Sequence, residues 1–185
     1  MMWLSMRNKF KHIIYFSILF ALPVFFESCS KNADPVFLVN LQRDFNVEPT
    51  LSPIVTHFFE LKNIPTNFQS NLDAFGLPQE SVSLVSPADA TLTTASGFAN
   101  WSLVNWVEIY AVSRINPNNR LRIYFINERD PGNDNEVRLF NTFADLSELM
   151  NEETIDLEVR IRTIAPMNGN FRARLLFNYA VFDEI

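Results

Sequence analysis

The alternation of apolar and charged residues near the C-terminus constrains the fold of this chain more than any other feature of its sequence. In residues 155–163 every odd position is apolar or threonine, and every even position is charged. Residues 171–181 largely repeat this pattern. A period of two residues is typical of a β-strand with one buried face and one solvated face. Because Pro166 and Gly169 mark a turn between the two segments, we predict that they form a β-hairpin.

Further strand patterns precede this hairpin, separated by turn residues at short intervals. One of them, residues 120–127, places Leu121, Ile123 and Phe125 on one face. The others are residues 35–41, 57–64, 81–85, 90–94, 103–114 and 137–140. Seven to nine short strands with little helix predict an all-β, antiparallel β-sandwich over residues 35–185. The pattern leaves immunoglobulin-like and jelly-roll-like topologies equally open.

Two short helical segments interrupt the strands. The first is predicted to begin at a Thr66 cap and to end at Gly76, with Phe68 and Leu72 on one side. The second is a single turn, with Asp145 as its cap. We therefore expect one or two helical turns in a fold made otherwise of strands.

The N-terminus has the three parts of a secretory signal. Arg7, Lys9 and Lys11 form a basic patch, and residues 13–26 form an uncharged apolar run. This run is shorter than the roughly 20 residues that span a bilayer. Residues 1–28 are therefore predicted to be a signal peptide. Met6 directly precedes the basic patch, so translation from Met1 and translation from Met6 are both open.

The only cysteine, Cys29, follows this segment directly, with the small residue Ser28 before it. The arrangement resembles the lipobox of bacterial lipoproteins, although Glu27 departs from the usual pattern. The resemblance implies that Cys29 is the lipid attachment site and the mature N-terminus, with residues 29–34 as a short linker. Two or more acyl chains anchor a protein stably. Ser30 after the cysteine implies the outer membrane, and the leaflet stays open. The alternative is an ordinary signal peptide followed by a free cysteine.

Composition narrows the possible functions. Residues 1–28 hold three of the 15 basic residues and one of the 21 acidic ones, so the rest of the chain has a formal charge of −8. Such an acidic chain is a poor partner for nucleic acid. The mature part contains one histidine, His57, and no catalytic or nucleotide-binding motif. We therefore expect a protein that is not an enzyme and that carries no cofactor, with His57 as a packed residue.

Three groups of residues are candidate binding sites. Trp101 and Trp106 could stack on sugar rings, but in one strand their spacing of five puts them on opposite faces, so at least one is expected in the core. An acidic loop offers oxygen ligands for calcium, or is a solvated turn. Four arginines are expected to share one sheet face, as a site for an acidic partner or as cross-strand ion pairs. The calcium candidates are Asp130, Asp134 and Glu136, and the arginines are Arg160, Arg162, Arg172 and Arg174.

The layout from Ser81 onward resembles that of small uncharacterised β-sandwich lipoproteins of the Bacteroidota. The resemblance rests on a Ser-Pro step at Ser86, an Asn-Trp-Ser-Leu segment at 100–103, an Asp-Leu turn at Asp145 and the two alternating strands. It implies a membrane-tethered envelope protein with a structural or protein-interaction role. The alternatives are a glycan-binding module that works with polysaccharide uptake and, third, an enzyme with a carboxylate-based site.

The lipid anchor gives a direct test. We expect Cys29→Ala to abolish incorporation of labelled palmitate and to release the protein from the membrane fraction, because no other cysteine can carry the lipid. Ser28→Ala keeps a small residue before the cysteine and serves as the control that should label normally. A Cys29→Ala protein that still takes up the label would contradict the anchor.

Overall fold

Eight antiparallel strands account for most of the computed structural model, which describes residues 34–48, 51–127, 135–167 and 169–183. The strands are β1 Phe37–Val47, β2 His57–Pro65, β3 Val82–Ser96, β4 Val104–Val112, β5 Arg120–Ile126, β6 Glu136–Asn141, β7 Thr154–Thr163 and β8 Phe171–Asp183. The described helices are α1 Phe68–Phe75, α2 Ser147–Met150 and the 3-10 turns Gln79–Ser81 and Trp101–Leu103. No helix among the described residues is long and apolar enough to cross a membrane.

The strands pair in a nested order. β1 pairs with β8, β2 with β7, β3 with β6 and β4 with β5. β8 also pairs with β3, and β7 with β4. The full order is β1-β8-β3-β6-β5-β4-β7-β2. This nesting is that of a long hairpin folded over into two four-stranded layers, which is the jelly roll. The predicted antiparallel β-sandwich is confirmed, and its topology is the jelly-roll alternative.

The sheet curves until its two end strands, β1 and β2, approach each other. Arg43 on β1 donates a hydrogen bond to the backbone oxygen of Asn63 on β2, with a distance of 2.9 Å. The rings of Phe45 and Phe59 lie 5.0 Å apart across the same gap. Side chains therefore bridge the seam of a nearly closed barrel, where the sheet order places no backbone pairing.

The predicted alternation of burial is confirmed in both C-terminal strands. In β7 the side chains of Ile155, Leu157, Val159 and Ile161 are buried, and the residues between them face outward. In β8 the buried series starts at Phe171. These inward side chains meet between the two layers, so that the core fills the space inside the curved sheet.

The predicted hairpin between these two strands is wrong. β7 lies between β2 and β4, whereas β8 lies between β1 and β3. The connecting residues cross from one layer to the other, and Met167 in this connection pairs with Leu51 through its backbone. Alternation reveals that one face of a strand is buried but not which strand lies beside it, and a crossing connection contains the same Pro and Gly residues as a tight turn.

Two other boundaries differ from the sequence-based expectation. Thr66 does not cap α1, because its hydroxyl donates to the backbone oxygen of Glu152 at 2.8 Å. The helix begins instead after Asn67, which has a left-handed backbone with φ of 54°. Gly76 ends the helix as predicted, with φ of 66°. Residues 81–85 and 90–94, predicted as separate strands, belong to the single strand β3 except for Ser81, which ends the preceding 3-10 turn. β3 is irregular after Pro87.

A bulge in β5 reverses the face of its last residues. Ile109 pairs with Tyr124, and the next residue of β4, Tyr110, pairs with Arg122, so that Ile123 is the extra residue. Ile123 and Tyr124 are consequently both buried, and Phe125 turns outward. The prediction that Phe125 shares a face with Leu121 and Ile123 is therefore wrong. The predicted helical turn near Asp145 is confirmed as α2, but its N-cap residue is Leu146 and not Asp145. Asp145, one residue earlier, accepts hydrogen bonds from the backbone and side chain of Ser147.

Gly97 provides a test of the packing between β3 and β8. Its φ is +83°, and an added Cβ would lie 2.8 Å from the backbone oxygen of Asn170. We expect Gly97→Ala to lower the free energy of unfolding by about 1–2 kcal/mol for the left-handed backbone and by about 1–3 kcal/mol more for the steric overlap. Urea denaturation measures the change.

The matched control is Gly76→Ala, where φ is +66° and no atom lies within 4 Å of the added Cβ. This variant carries the backbone cost alone. Equal losses of stability in the two variants would contradict the close approach at Gly97.

Candidate functional site

The outer surface of the layer β5-β4-β7-β2 is the most distinctive part of the described molecule. Its side chains alternate with buried ones along each strand, and the bulge in β5 adds Phe125 to them. We call this surface the arginine–aromatic face. It comprises Phe58, Trp106, Glu108, Tyr110, Arg120, Arg122, Phe125, Glu158, Arg160 and Arg162.

The strand register places arginines beside acidic and aromatic residues on this face. Tyr110 lies between Arg122 on β5 and Glu158 on β7. Glu108 is directly opposite Arg160, and Trp106 is directly opposite Arg162. Because directly opposite side chains in antiparallel strands are close neighbours, the paired residues of β4 and β7 come together although they are about 50 residues apart in the sequence.

Guanidinium groups cover most of the aromatic rings. The ring of Tyr110 has the guanidinium carbon of Arg120 at 4.5 Å and that of Arg160 at 4.6 Å from its centroid. Arg160 also lies 5.3 Å from the ring of Phe58. Further along the face, Arg122 lies 5.0 Å from Phe125 and Arg162 lies 5.7 Å from Trp106. The five cation–π contacts recorded among the described residues all belong to this face, and each favours a fixed position of the arginine.

Two carboxylates connect the arginines. Glu158 accepts from Arg120 at 3.2 Å and from Arg160 at 2.5 Å. Glu108, which is almost fully buried, accepts from Arg122 and from the hydroxyl of Tyr110, both at 2.8 Å. The buried carboxylate therefore has a cation and a neutral donor, as a buried charge requires.

The hydroxyl of Tyr110 is a stable donor in this network. Burial raises the pKa of Tyr110, and its hydrogen bond to the Glu108 carboxylate raises it further. The phenol is therefore protonated at neutral pH and donates to Glu108 throughout the physiological range.

Arg162 differs from its neighbours. Its Nε donates to the hydroxyl of Thr56 at 2.9 Å, and its guanidinium lies over Trp106. None of the salt bridges within the described part of the chain includes Arg162, and its side chain is exposed. The guanidinium group of Arg162 is therefore positioned by neutral groups and not by a carboxylate.

The other two predicted arginines lie on the other layer, which corrects the prediction of one shared face. Arg172 and Arg174 lie on β8, away from β7, because the two strands do not pair. Arg174 binds Asp44 on β1 through two hydrogen bonds of 2.8 and 3.0 Å, and Arg172 lies 3.6 Å from the same carboxylate. The Arg174 guanidinium holds the pKa of Asp44 below its ordinary value.

The two tryptophans have different positions, and the expectation that at least one of them lies in the core is confirmed. Trp101 lies in the 3-10 turn before β4 and is fully buried. Its indole nitrogen donates to the hydroxyl of Thr94 at 2.9 Å, and its ring packs against Phe171 with centroids 5.6 Å apart. Trp106 faces outward on β4 and is half-buried.

The remaining candidates are partly outside the described residues. Asp130, Asp134 and Cys29 all lie there, so that calcium binding and lipidation stay predictions. Glu136 begins β6 and accepts from Arg138 at 2.9 Å. No group of three or more His, Cys, Asp or Glu side chains that could hold a metal occurs among the described residues. His57 is half-buried, with its Nε2 3.0 Å from the backbone oxygen of Ser52.

A cleft of about 440 Å³ lies beside the start of α1. Its lining includes Asn67, Gln79 and Asn151, and Gln79 donates to Asn151 at 2.8 Å. Glu152 belongs to the same lining, but its carboxylate accepts hydrogen bonds from the hydroxyl of Ser113 and the backbone of Arg114. Each of its two oxygens thus accepts a hydrogen bond within the protein.

No family model and no curated protein matches the chain. Among solved structures, a chain from the infectious bursal disease virus Gt strain is similar at 16% identity and a TM-score of 0.32, over 78% of this chain and 36% of that chain. A chain from desmodium yellow mottle tymovirus is similar at 6% identity and a TM-score of 0.25, over 84% of this chain and 93% of that one. The present chain thus spans about a third of the first of these proteins. The assignment of the jelly roll rests on the strand order alone.

Tyr110 is the residue whose substitution tests the network. We expect Tyr110→Phe to lower the free energy of unfolding by about 0.5–1.5 kcal/mol, because it loses only the hydrogen bond to Glu108. Tyr110→Leu should cost about 1–2 kcal/mol more, because it also removes the ring between Arg120 and Arg160. Urea denaturation of both variants separates the two effects.

Phe98→Leu is the control, since Phe98 is 79% exposed and lies outside the face. Its substitution should change stability by less than about 0.5 kcal/mol. If Tyr110→Phe and Tyr110→Leu are equally stable, the guanidinium groups do not depend on the ring.

Proposed function

We propose that this protein is an exported, lipid-anchored component of the cell envelope that has no catalytic role and binds a protein partner through the arginine–aromatic face. The observation that carries the proposal is the concentration of five cation–π contacts on one outer sheet face. Residues 1–29 support the export and the anchor through their resemblance to a lipoprotein signal. The six residues of the linker, 29–34, would span at most about 20 Å and keep the domain near the bilayer.

The composition of the face supports a protein partner. Protein interfaces are enriched in aromatic residues and arginine and depleted in lysine. Their energetically dominant residues are most often Trp, Tyr and Arg. The arginine–aromatic face contains four arginines, one tryptophan, one tyrosine and two phenylalanines. The one lysine among the described residues, Lys62, lies on β2 at the border of the face and pairs with Glu60. A surface of this composition fits the centre of an interface better than a merely solvated sheet face.

The geometry of the face also favours binding. Ordering a free arginine side chain at an interface costs roughly 0.5–1.5 kcal/mol. Arg160 is already held by Glu158, Tyr110 and Phe58 before any partner arrives. A partner would therefore meet side chains that have lost most of their freedom in folding, which lowers the entropic cost of association.

A glycan-binding module is the second candidate, and the outward position of Trp106 favours it. Sugars bind to aromatic residues by lying flat on an open ring. Arg162 lies over Trp106, and Arg120 and Arg160 both lie over Tyr110. Guanidinium groups therefore compete with a sugar for these ring faces. An enzyme with a carboxylate-based site is third, and Glu108 and Glu158, the acids of the face, are both paired with arginines.

Site-specific photo-crosslinking in intact cells tests the proposal. We expect a benzoylphenylalanine at position 58 to form a covalent adduct with a second protein, because Phe58 is 60% exposed at the border of the face. The adduct is detected as a protease-sensitive shift on a denaturing gel. The matched control is the same probe at Leu176, an exposed apolar residue on β8 of the opposite layer.

Adducts at position 58 and none at position 176 support the proposed binding face. Adducts at 176 alone would place the partner on the other layer and contradict the proposal. Protein adducts at neither position, in cells that retain the protein in the membrane fraction, would contradict a protein partner on this face.

A further inference from the structure

We infer that the partner surface bound by the arginine–aromatic face is an acidic, extended protein segment, which brings carboxylates to Arg160 and Arg162. The inference rests on the proposed function, since it names the chemistry of the partner at that same face. Its basis is an excess of positive charge at one location on an acidic chain.

The excess follows from the ion pairs. The chain as a whole has a formal charge of −6. On the arginine–aromatic face, however, there are four guanidinium groups and two carboxylates: Glu108 pairs with Arg122, and Glu158 pairs with Arg120 and Arg160. The face therefore keeps a formal surplus of two positive charges, which complements an acidic surface.

The charges at the border of the face do not cancel this surplus. Glu60 on β2 pairs with Lys62 at 3.0 Å. Asp156 on β7 lies 3.8 Å from Arg114 and accepts the backbone N–H of Asn63 at 2.8 Å. Each of these border acids therefore has its own cation close by, and the surplus stays with the arginines of the face.

Arg162 is the best placed of these arginines to receive an external carboxylate. Its Nε is occupied by Thr56, but its two terminal amino groups make no hydrogen bond within the described residues. Its guanidinium carbon lies 5.7 Å from the centroid of the Trp106 ring. A guanidinium held in this way presents a fixed pair of donors, which matches the two oxygens of a carboxylate.

The spacing of the arginines favours a protein segment over an acidic polysaccharide. Arg160 and Arg162 are two residues apart on the same face of β7, a separation of about 6.6–6.8 Å between their Cα atoms. An extended peptide presents every second side chain with the same repeat. Two acidic residues at positions i and i+2 can therefore meet both arginines. A sugar acid has no such repeat imposed by a strand, and the rings on which it would stack are covered by guanidinium groups.

Binding of defined peptides tests this inference. The probes are a fluorescent peptide of alternating Glu and Thr, the same peptide with Gln in place of Glu, and polygalacturonate as the acidic polysaccharide. The protein is the full mature chain in detergent. We expect the Glu peptide to bind, to weaken as salt is raised, and to bind at least about tenfold more tightly than the Gln peptide.

Arg162→Gln should weaken binding of the Glu peptide by about tenfold or more, because the open guanidinium is lost. Arg162→Lys should recover only part of this loss, since lysine keeps the charge but not the planar pair of donors. Arg172→Gln is the matched control. Arg172 is an exposed arginine on the opposite layer, and its substitution should leave the affinity within about twofold.

Equal binding of the Glu and Gln peptides, or an unchanged affinity in Arg162→Gln, would overturn the acidic partner. Binding of polygalacturonate but not of the Glu peptide, with dependence on Arg162, would overturn it in favour of an acidic glycan. Crosslinking at position 58 separates this failure from failure of the proposed function. A protein adduct that forms equally well in Arg162→Gln cells would leave the binding face in place and remove only the inference about its charge.

Discussion

The arginine–aromatic face depends on the pairing of β4 with β7. On the inner side of this pair, Val107 is opposite Ile161 and Ile109 is opposite Val159, and all four are fully or almost fully buried. A slip of one residue in either strand would move its apolar side chains to the solvent. The hydrophobic core therefore fixes the register, and the register in turn sets Glu108 beside Arg160 and Tyr110 beside Glu158 on the outer side. The arrangement of arginine and aromatic side chains on the outer side and the packing of the core therefore depend on the same strand register.

The sequence predicts those features of this arrangement that depend on residues close together in the chain, and not those that depend on distant residues. Local features were predictable: the period of two in β7 and β8, the end of α1 at Gly76 and the turn at Asp145 all depend on residues close together in the chain. The strand that pairs with each strand could not be predicted, because the alternation of apolar and polar residues is the same whichever strand lies beside it. β7 and β8 were accordingly predicted to be neighbours, although the jelly roll puts them in different layers.

The difference between local and long-range interactions also explains which residues of the arginine–aromatic face could be predicted from the sequence. The outward positions of Arg160 and Arg162 follow from alternation, whereas their contacts with Tyr110 and Trp106 follow from pairing across about 50 residues of chain. Phe125 joins the face through a bulge, and a single extra residue leaves no mark in a pattern of apolar side chains. The spacing of Trp101 and Trp106 correctly predicts that at least one of them lies in the core, but the reason differs, because Trp101 lies in a 3-10 turn before β4 and not in the strand to which the spacing rule applies.

The two layers use arginine in different ways, and the difference argues for a functional role of one of them. On β8, Arg174 gives two of its donors to Asp44, and nearby Asn178 donates to Asn40, so that this surface satisfies its own polar groups. On β7, Arg162 is held by a ring and a hydroxyl. A carboxylate uses the in-plane donors of a guanidinium, whereas a ring contacts its flat side and leaves those donors open. Contact with an aromatic ring thus orients an arginine without neutralising it, which is the state that binding of the proposed acidic partner would require.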